Sequence, residues 1–156
     1  MNLSEELDRI NTIFIDTAPV IYFIEAHPQF GSLAKEVVNA FQSGSLSAFS
    51  SVITLTEVLS KPSETGDEVL AKKFAEFLKH GKNLTLLEIT SSIAERAGRL
   101  RGLYKDIKAI DAIQIASAIE VGADAFLTND KKLKKVEEIK VMVLKDYLQE
   151  QGKERL

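Results

Sequence analysis

Four acidic side chains stand at positions where carboxylates could act together. They are Asp16, Glu57, Asp111 and Asp130. Carboxylates that lie close to one another repel unless a cation neutralises them. Oxygen ligands alone favour Mg²⁺ or Mn²⁺, whereas zinc prefers His or Cys ligands. Such ions, held by a few carboxylates and water, are suited to phosphodiester hydrolysis, because they activate a bound water and offset charge on the phosphate.

Each of these acids also has a purely structural interpretation. Asp16 follows the apolar run Thr12–Ile15 and is able to cap the next helix. Asp130 follows Thr128-Asn129 and fits ordinary turn chemistry. Glu57 is the only charged residue in the stretch 44–60, so it lies either on an exposed rim or in a functional site.

Asp111 lies in an otherwise apolar segment. Between Ile110 and Ile119, the polar residues Asp111, Gln114 and Ser117 form one narrow seam at three-residue spacing. An acid in the first helical turn is favoured by the helix dipole, which is the structural interpretation. The apolar neighbours favour a functional one, because burying an unpaired carboxylate is costly.

The composition describes one folded domain. The chain has 156 residues, of which 45% are hydrophobic and 28% charged, enough for a hydrophobic core and against disorder or low complexity. We expect a single domain over residues 1–150 and a polar tail over 151–156. The absence of cysteine excludes disulfide scaffolds, thiol catalysis and Cys-based zinc sites. His27 and His80 are far apart in sequence, so a His-rich metal site is not expected.

The sequence also bears on location. It contains no run of about 18 apolar residues, so no membrane span is expected. Its first eight residues are acidic where a signal peptide needs positive charge. We therefore predict a cytoplasmic protein.

Apolar patterns predict strands that alternate with helices. The predicted strands are Thr12–Ile15, Leu46–Ser50, Leu84–Ile89, Ala125–Thr128 and Val141–Leu144. Helices are predicted between them, including one over Ser51–Ser60 despite its β-branched residues, and a loop over Pro62–Gly66. The pattern predicts a three-layer α/β sandwich, with a mostly parallel central sheet of four to five strands and helices on both faces. Asp16 and Asp130 then emerge at the carboxyl edge of that sheet, where ligands bind.

The order of these motifs resembles the PIN-domain family. Its opening is matched by Ile13–Tyr22, its second acidic motif by Thr54–Leu59, and its third and fourth by Asp111–Ala118 and Ala123–Asp130. The resemblance spans most of the chain, from about Ile13 to Leu144. At this size, the chain is most similar to the VapC toxins of prokaryotic toxin–antitoxin pairs. The sandwich is accordingly expected to be PIN-like.

That resemblance implies a metal-dependent endoribonuclease that uses Mg²⁺ or Mn²⁺, forms a homodimer and is inhibited by a cognate antitoxin protein. It assigns the catalytic and metal-binding roles to the four acids Asp16, Glu57, Asp111 and Asp130. Thr17 and Thr128 are implied to support the acids with their hydroxyls, and Asn129 to lie in the ligand shell or touch substrate. Family members often carry Pro before the third acid and His three residues after it, where this chain has Ile110 and Gln114.

Binding of RNA would require cations near these acids. The net charge of −3 argues against a wholly basic binding surface, although clustered carboxylates contribute to that total. We predict phosphate contacts from one basic segment, and its alternative interpretation is a solvated helix face. Its residues are Arg96, Arg99, Arg101 and Lys105.

Two other classes of phosphate chemistry lack a residue that they need. A haloacid-dehalogenase-type phosphatase needs a second Asp two residues after the first, and position 18 is Ala. A phospho-receiver domain needs an Asp at the end of its third strand, where this chain has Leu86-Leu87-Glu88. The remaining alternative to the nuclease is a catalytically silent PIN-like scaffold that binds protein or RNA, its acids engaged by a partner.

Overall fold

The computed structural model describes residues 1–148, in which five parallel strands lie between two layers of helices. The predicted tail over 151–156 lies outside the described residues. The strand order is β3-β2-β1-β4-β5. The strands are β1 (Thr12–Ile15), β2 (Ser47–Ser51), β3 (Leu84–Leu87), β4 (Ala125–Thr128) and β5 (Lys140–Val143). The predicted α/β sandwich is confirmed, and every strand pair is parallel.

The helices cover both faces of this sheet. They are α1 (Leu3–Leu7), α2 (Thr17–Ile24), α3 (Gly31–Gln42), α4 (Val52–Thr65), α5 (Glu68–His80), α6 (Ser91–Leu103) and α7 (Ala109–Glu120). Two 3₁₀ turns follow at Lys131–Lys135 and Leu144–Tyr147. No helix within residues 1–148 is long and apolar enough to cross a membrane.

The central strand β1 is buried because its side chains alternate between two cores. Ile13 and Ile15 pack into the cluster beneath α2 to α5, and Phe14 packs into the cluster beneath α6 and α7. Phe14 also stacks on Phe126 of β4, with ring centroids 5.5 Å apart. The apolar run without alternation is therefore a strand covered on both faces.

Helix α4 begins as predicted and ends later than predicted. The Ser51 hydroxyl accepts the backbone N–H of Ile53 at 3.1 Å and caps the helix, so the β-branched residues that follow are helical. The predicted loop over Pro62–Gly66 is wrong, because α4 continues to Thr65. Pro62 is buried against neighbouring residues, and the helix ends at Gly66 instead, whose φ of +74° suits glycine.

Three short elements have no counterpart in the sequence prediction. A capping box starts α1: Asn2 accepts the backbone N–H of Glu5 at 2.8 Å, and the Glu5 carboxylate accepts that of Asn2 at 3.3 Å. This helix buries Leu3 and Leu7 against the core. The other two elements are the 3₁₀ turns, and single turns carry no periodic signal.

The strand order creates one crevice at the carboxyl edge of the sheet. From β1 the chain adds β2 on one side, whereas β4 pairs with β1 on the other. Ligands in open parallel sheets bind where the order reverses in this way. The residues that follow β1 and β4 therefore flank the expected binding position.

Candidate active site

Asp16 joins the two strands that flank the crevice. Its Oδ1 accepts the backbone N–H of Thr17 at 2.9 Å, so it caps α2 as the structural interpretation predicts. Its Oδ2 accepts the Thr128 hydroxyl at 2.8 Å from the end of β4. Burial, helped by the charges of Asp111 and Glu57, raises the pKa of Asp16 to about 6 despite the lowering effect of the two hydrogen bonds. Asp16 is thus both a helix cap and an acid whose ionised form is disfavoured.

Glu57 reaches toward the crevice from α4. Its side chain is exposed, and its Oε1 accepts the Thr17 hydroxyl at 2.6 Å. The same Thr17 hydroxyl lies 3.1 Å from that of Thr54. Both threonines predicted as hydroxyl supports contact an acid: Thr17 holds Glu57, and Thr128 holds Asp16.

Asp111 lies in the first turn of α7 and is partly buried. Its pKa is raised mainly by burial, then by the charges of Asp130 and Glu57, and Lys108 opposes these effects. No residue within 1–148 donates a hydrogen bond to its carboxylate, although Asp16 accepts two hydrogen bonds and Glu57 and Asp130 accept one each. Among these four acids, Asp111 is therefore the one whose two oxygens accept nothing from the described residues.

Asp130 caps the 3₁₀ turn after β4. Its Oδ1 accepts the backbone N–H of Lys132 at 3.0 Å, as turn chemistry predicts. Its own backbone N–H donates to the Thr128 hydroxyl at 3.2 Å. Thr128 therefore links Asp130 to Asp16 through one hydroxyl group, which accepts from the first and donates to the second.

The four predicted acids act on one another electrostatically. The charges of Asp111 and Glu57 raise the pKa of Asp16, and the charges of Asp130 and Glu57 raise the pKa of Asp111. Within residues 1–148, no three His, Cys, Asp or Glu side chains form a group tight enough to hold a metal ion by themselves. The donor set nevertheless fits Mg²⁺ or Mn²⁺, because it is all oxygen and retains unbonded carboxylate oxygens on Asp111. Mg²⁺ is commonly held by one or two carboxylates and several waters.

Asn129 has a different environment from the acids. It is buried, its amide nitrogen donates to the Tyr22 hydroxyl at 3.1 Å, and its amide oxygen accepts the backbone N–H of Lys145 at 2.9 Å. Both ends of the amide are thus occupied by the protein. These contacts fix the loop that carries Asp130, and they leave little of Asn129 for a ligand.

The basic residues predicted to contact phosphate lie at different distances from the acids. Arg96 pairs with Glu120, with 2.7 Å between its Nε and the carboxylate, and Glu120 lies nine residues beyond Asp111 on α7. That spacing is about 13 Å along the helix axis. Arg101 instead lines a separate surface pocket between α6 and α7, together with Ala109 at the start of α7. Lys108, which the sequence did not single out, is the cation whose charge acts on Asp111.

A buried polar network lies behind the acids and was not predicted from the sequence. Ser51, Thr54 and Gln114 are completely buried, and the Gln114 amide is hydrogen-bonded to both hydroxyls. The three-residue spacing of Asp111 and Gln114 was a usable signal, because it aligns Gln114 with the acid on one face of α7. Nothing in the sequence indicated that this face meets β2 and α4.

Comparison with known proteins identifies the family. The model of the PIN domain matches residues 13–139. No curated protein sequence matches the chain. Among solved structures, VapBC2 from Rickettsia felis bound to promoter DNA is similar, with a TM-score of 0.69, 20% identity, and coverage of 85% of this chain and 98% of that one.

Two further structures share the fold. A toxin–antitoxin complex from Klebsiella pneumoniae has a TM-score of 0.65 and 23% identity, over 85% of this chain and 97% of that one. VapC20 from Mycobacterium tuberculosis, a toxin that cleaves the sarcin–ricin loop, has a TM-score of 0.65 and 16% identity, over 82% of this chain and 98% of that one. Because the PIN model covers most of the chain and its acidic motifs end at the same crevice, this protein belongs to the PIN domain family.

Proposed function

We propose that this chain is a metal-dependent endoribonuclease and the toxin of a type II toxin–antitoxin pair. The observation that carries the proposal is the electrostatic coupling of four carboxylates around one crevice, with Asp111 lacking a hydrogen-bond donor within residues 1–148. The similarity to toxins, one of which cleaves RNA, supports RNA as the substrate class.

The four acids would have different roles in binding the metal ion. Asp16 and Asp111 would bind the Mg²⁺ or Mn²⁺ ion directly, since both are partly buried and each is repelled by two other acids, a repulsion that a cation would relieve. Glu57 and Asp130 would orient its waters or contribute to a second ion. Thr128 and Thr17 keep Asp16 and Glu57 in place. When bound, the ion would lower the pKa of a water and offset the charge that develops on the phosphate.

The partners follow from the same proposal. The similar structures include toxin–antitoxin complexes, so we expect a cognate antitoxin that covers the crevice. A groove of about 250 Å³ runs beside Glu57 between α2, α4 and α5, and is lined in part by Ile21, Leu70 and Phe74.

A homodimer is also expected. Leu103 and Ile110, which are 71% and 44% exposed, flank the turn before Asp111 and would contribute apolar surface to the dimer interface.

Cleavage of RNA tests the proposal directly. End-labelled RNAs of varied sequence are incubated with the protein and Mn²⁺ or Mg²⁺, and parallel samples contain chelator. We expect endonucleolytic products only where metal is present, and none from the Asp16→Asn protein. The absence of metal-dependent products across ribosomal, transfer and messenger RNA would favour a non-catalytic scaffold instead.

The contribution of cations to RNA binding should depend on their position. We expect Lys108→Ala and Arg101→Ala each to weaken binding of a short RNA. Each should also reduce the slope of the logarithm of the binding constant against the logarithm of the salt concentration by about one for each phosphate contact that is lost. Arg96→Ala should change affinity much less, because Arg96 is paired with Glu120 far from Asp111. Fluorescence anisotropy over a series of salt concentrations measures both quantities. An affinity independent of salt, or a weakening confined to Arg96→Ala, would contradict this assignment.

A further inference from the structure

A chain of hydrogen bonds connects the core of the protein to Glu57. It begins at Ser51 on β2, whose hydroxyl donates to the Gln114 amide oxygen on α7. The Gln114 amide nitrogen donates to the Thr54 hydroxyl at 2.7 Å, which lies 3.1 Å from the Thr17 hydroxyl. Thr17 donates to Glu57 at 2.6 Å. Four elements of the fold therefore converge on one exposed carboxylate.

The direction of this chain follows from the count of protons. An ionised carboxylate only accepts hydrogen bonds, so the single hydroxyl proton of Thr17 goes to Glu57. The bond between Thr17 and Thr54 must then be donated by Thr54. Thr54 has then donated its only hydroxyl proton, so its bond with Gln114 must be one in which the Thr54 oxygen accepts. Each group accepts from the core side and donates toward Glu57.

The same count fixes the orientation of the Gln114 amide. If its oxygen faced Thr54, that hydroxyl would donate to Gln114 and have no proton for Thr17. The Thr17–Thr54 pair would then have no hydrogen bond, because the proton of Thr17 is also committed. Only the orientation that aims the amide nitrogen at Thr54 satisfies every member of the chain.

We infer that Gln114 is a positioning residue for Glu57. Gln114 is completely buried and does not reach the crevice surface, so it acts through Thr54 and Thr17. Thr17 is the one hydrogen-bond partner of the Glu57 carboxylate within residues 1–148. The orientation of this long, exposed side chain therefore depends on how the Thr17 hydroxyl is directed. The importance of that orientation for metal binding rests on the proposed function.

The alternative is that these bonds only stabilise the core, and paired substitutions separate the two roles. Thr54→Val and Gln114→Met each interrupt the chain with side chains of similar size. Thr54→Ser keeps the hydroxyl and should restore the chain. Thr56→Val is the matched control, because Thr56 lies on the same helix and its hydroxyl donates to the Val52 carbonyl at 3.1 Å outside the chain.

The first measurement is Mn²⁺ affinity, by electron paramagnetic resonance of free Mn²⁺. We expect Thr54→Val and Gln114→Met to weaken binding about 10- to 100-fold, the usual effect of losing a group that orients a metal ligand. Thr54→Ser and Thr56→Val should remain near the wild-type affinity. Equal affinities in all four variants would overturn the inference.

The second measurement needs no metal. In the metal-free protein, the Thr17 hydroxyl proton should exchange slowly enough to be observed by NMR, and should lose that protection in Thr54→Val and Gln114→Met. Equal protection in every variant would overturn the inference. If that proton depended on Gln114 while the wild-type protein bound no Mn²⁺, the proposed function would fail and the positioning of Glu57 would stand.

Discussion

Asp111→Asn should reduce metal-dependent RNA cleavage by about a thousandfold or more. Loss of a direct ligand removes several kcal/mol of transition-state stabilisation, and about 4 kcal/mol corresponds to a factor of a thousand. The fold should be unaffected, because the Asp111 carboxylate accepts no hydrogen bond within the described residues and Asn has the same shape. Single-turnover cleavage of an identified RNA, with circular dichroism of both proteins, measures the effect.

Asp106→Asn is the matched control for this prediction. Asp106 lies in the turn before α7, its side chain is 83% exposed, and it pairs with Lys135 at 3.2 Å. It carries the same charge as Asp111 and lies only five residues away, but it is not among the charges that act on Asp16 or Asp111. Its replacement should leave cleavage within a few-fold of wild type. Similar rates for Asp106→Asn and Asp111→Asn would contradict the assignment of Asp111.

The metal-free protein should become more stable relative to Asp16→Asn as the pH falls from about 7 to about 4. Burial raises the pKa of Asp16 to about 6 in the folded state, compared with an ordinary value of 3.8. The folded protein therefore binds this proton more tightly than the unfolded chain does. The resulting stability is fully present below the ordinary pKa and is lost as the pH rises through about 6. The difference amounts to about 3 kcal/mol.

Denaturant unfolding in chelator measures this effect at a series of pH values. Other titrating groups contribute to both proteins, so the difference in the free energy of unfolding isolates Asp16. At neutral pH, Asp16→Asn should be the more stable protein, because it removes a buried negative charge beside Asp111 and Glu57. Parallel curves for the two proteins would show that Asp16 titrates in the folded state as it does in the unfolded chain.

Much of the fold was predictable because the strands are buried on both faces. Runs such as Thr12–Ile15 and Ala125–Thr128 are short, apolar and separated by helical patterns, which is typical of a parallel sheet. The positions of Asp16 and Asp130 followed from the same reasoning, because parallel strands end at one edge. The PIN-like family suggested by the acidic motifs was confirmed.

The remaining features depend on tertiary contacts that no local pattern encodes. Pro62 lies buried inside α4 although it has no backbone N–H to donate, so the predicted loop over Pro62–Gly66 was wrong. Arg96 is paired with Glu120 across two helices whose register was unknown from the sequence. Gln114 was noticed as part of a seam and as the residue at the position of the family's His, but its hydrogen bonds were not predicted, because its partners lie on β2 and α4, at least 60 residues away.

The most direct test of the central claim is thermal unfolding with and without Mn²⁺. If the carboxylates form one metal site, Mn²⁺ at about 100 times its dissociation constant should stabilise the wild-type protein by about 2.7 kcal/mol. For a chain of this size, that is a rise in Tm of about 5–10 °C. Asp16→Asn should begin with a higher Tm in chelator and respond little to Mn²⁺. Identical Tm values for the two proteins, unchanged by Mn²⁺, would contradict a shared metal site.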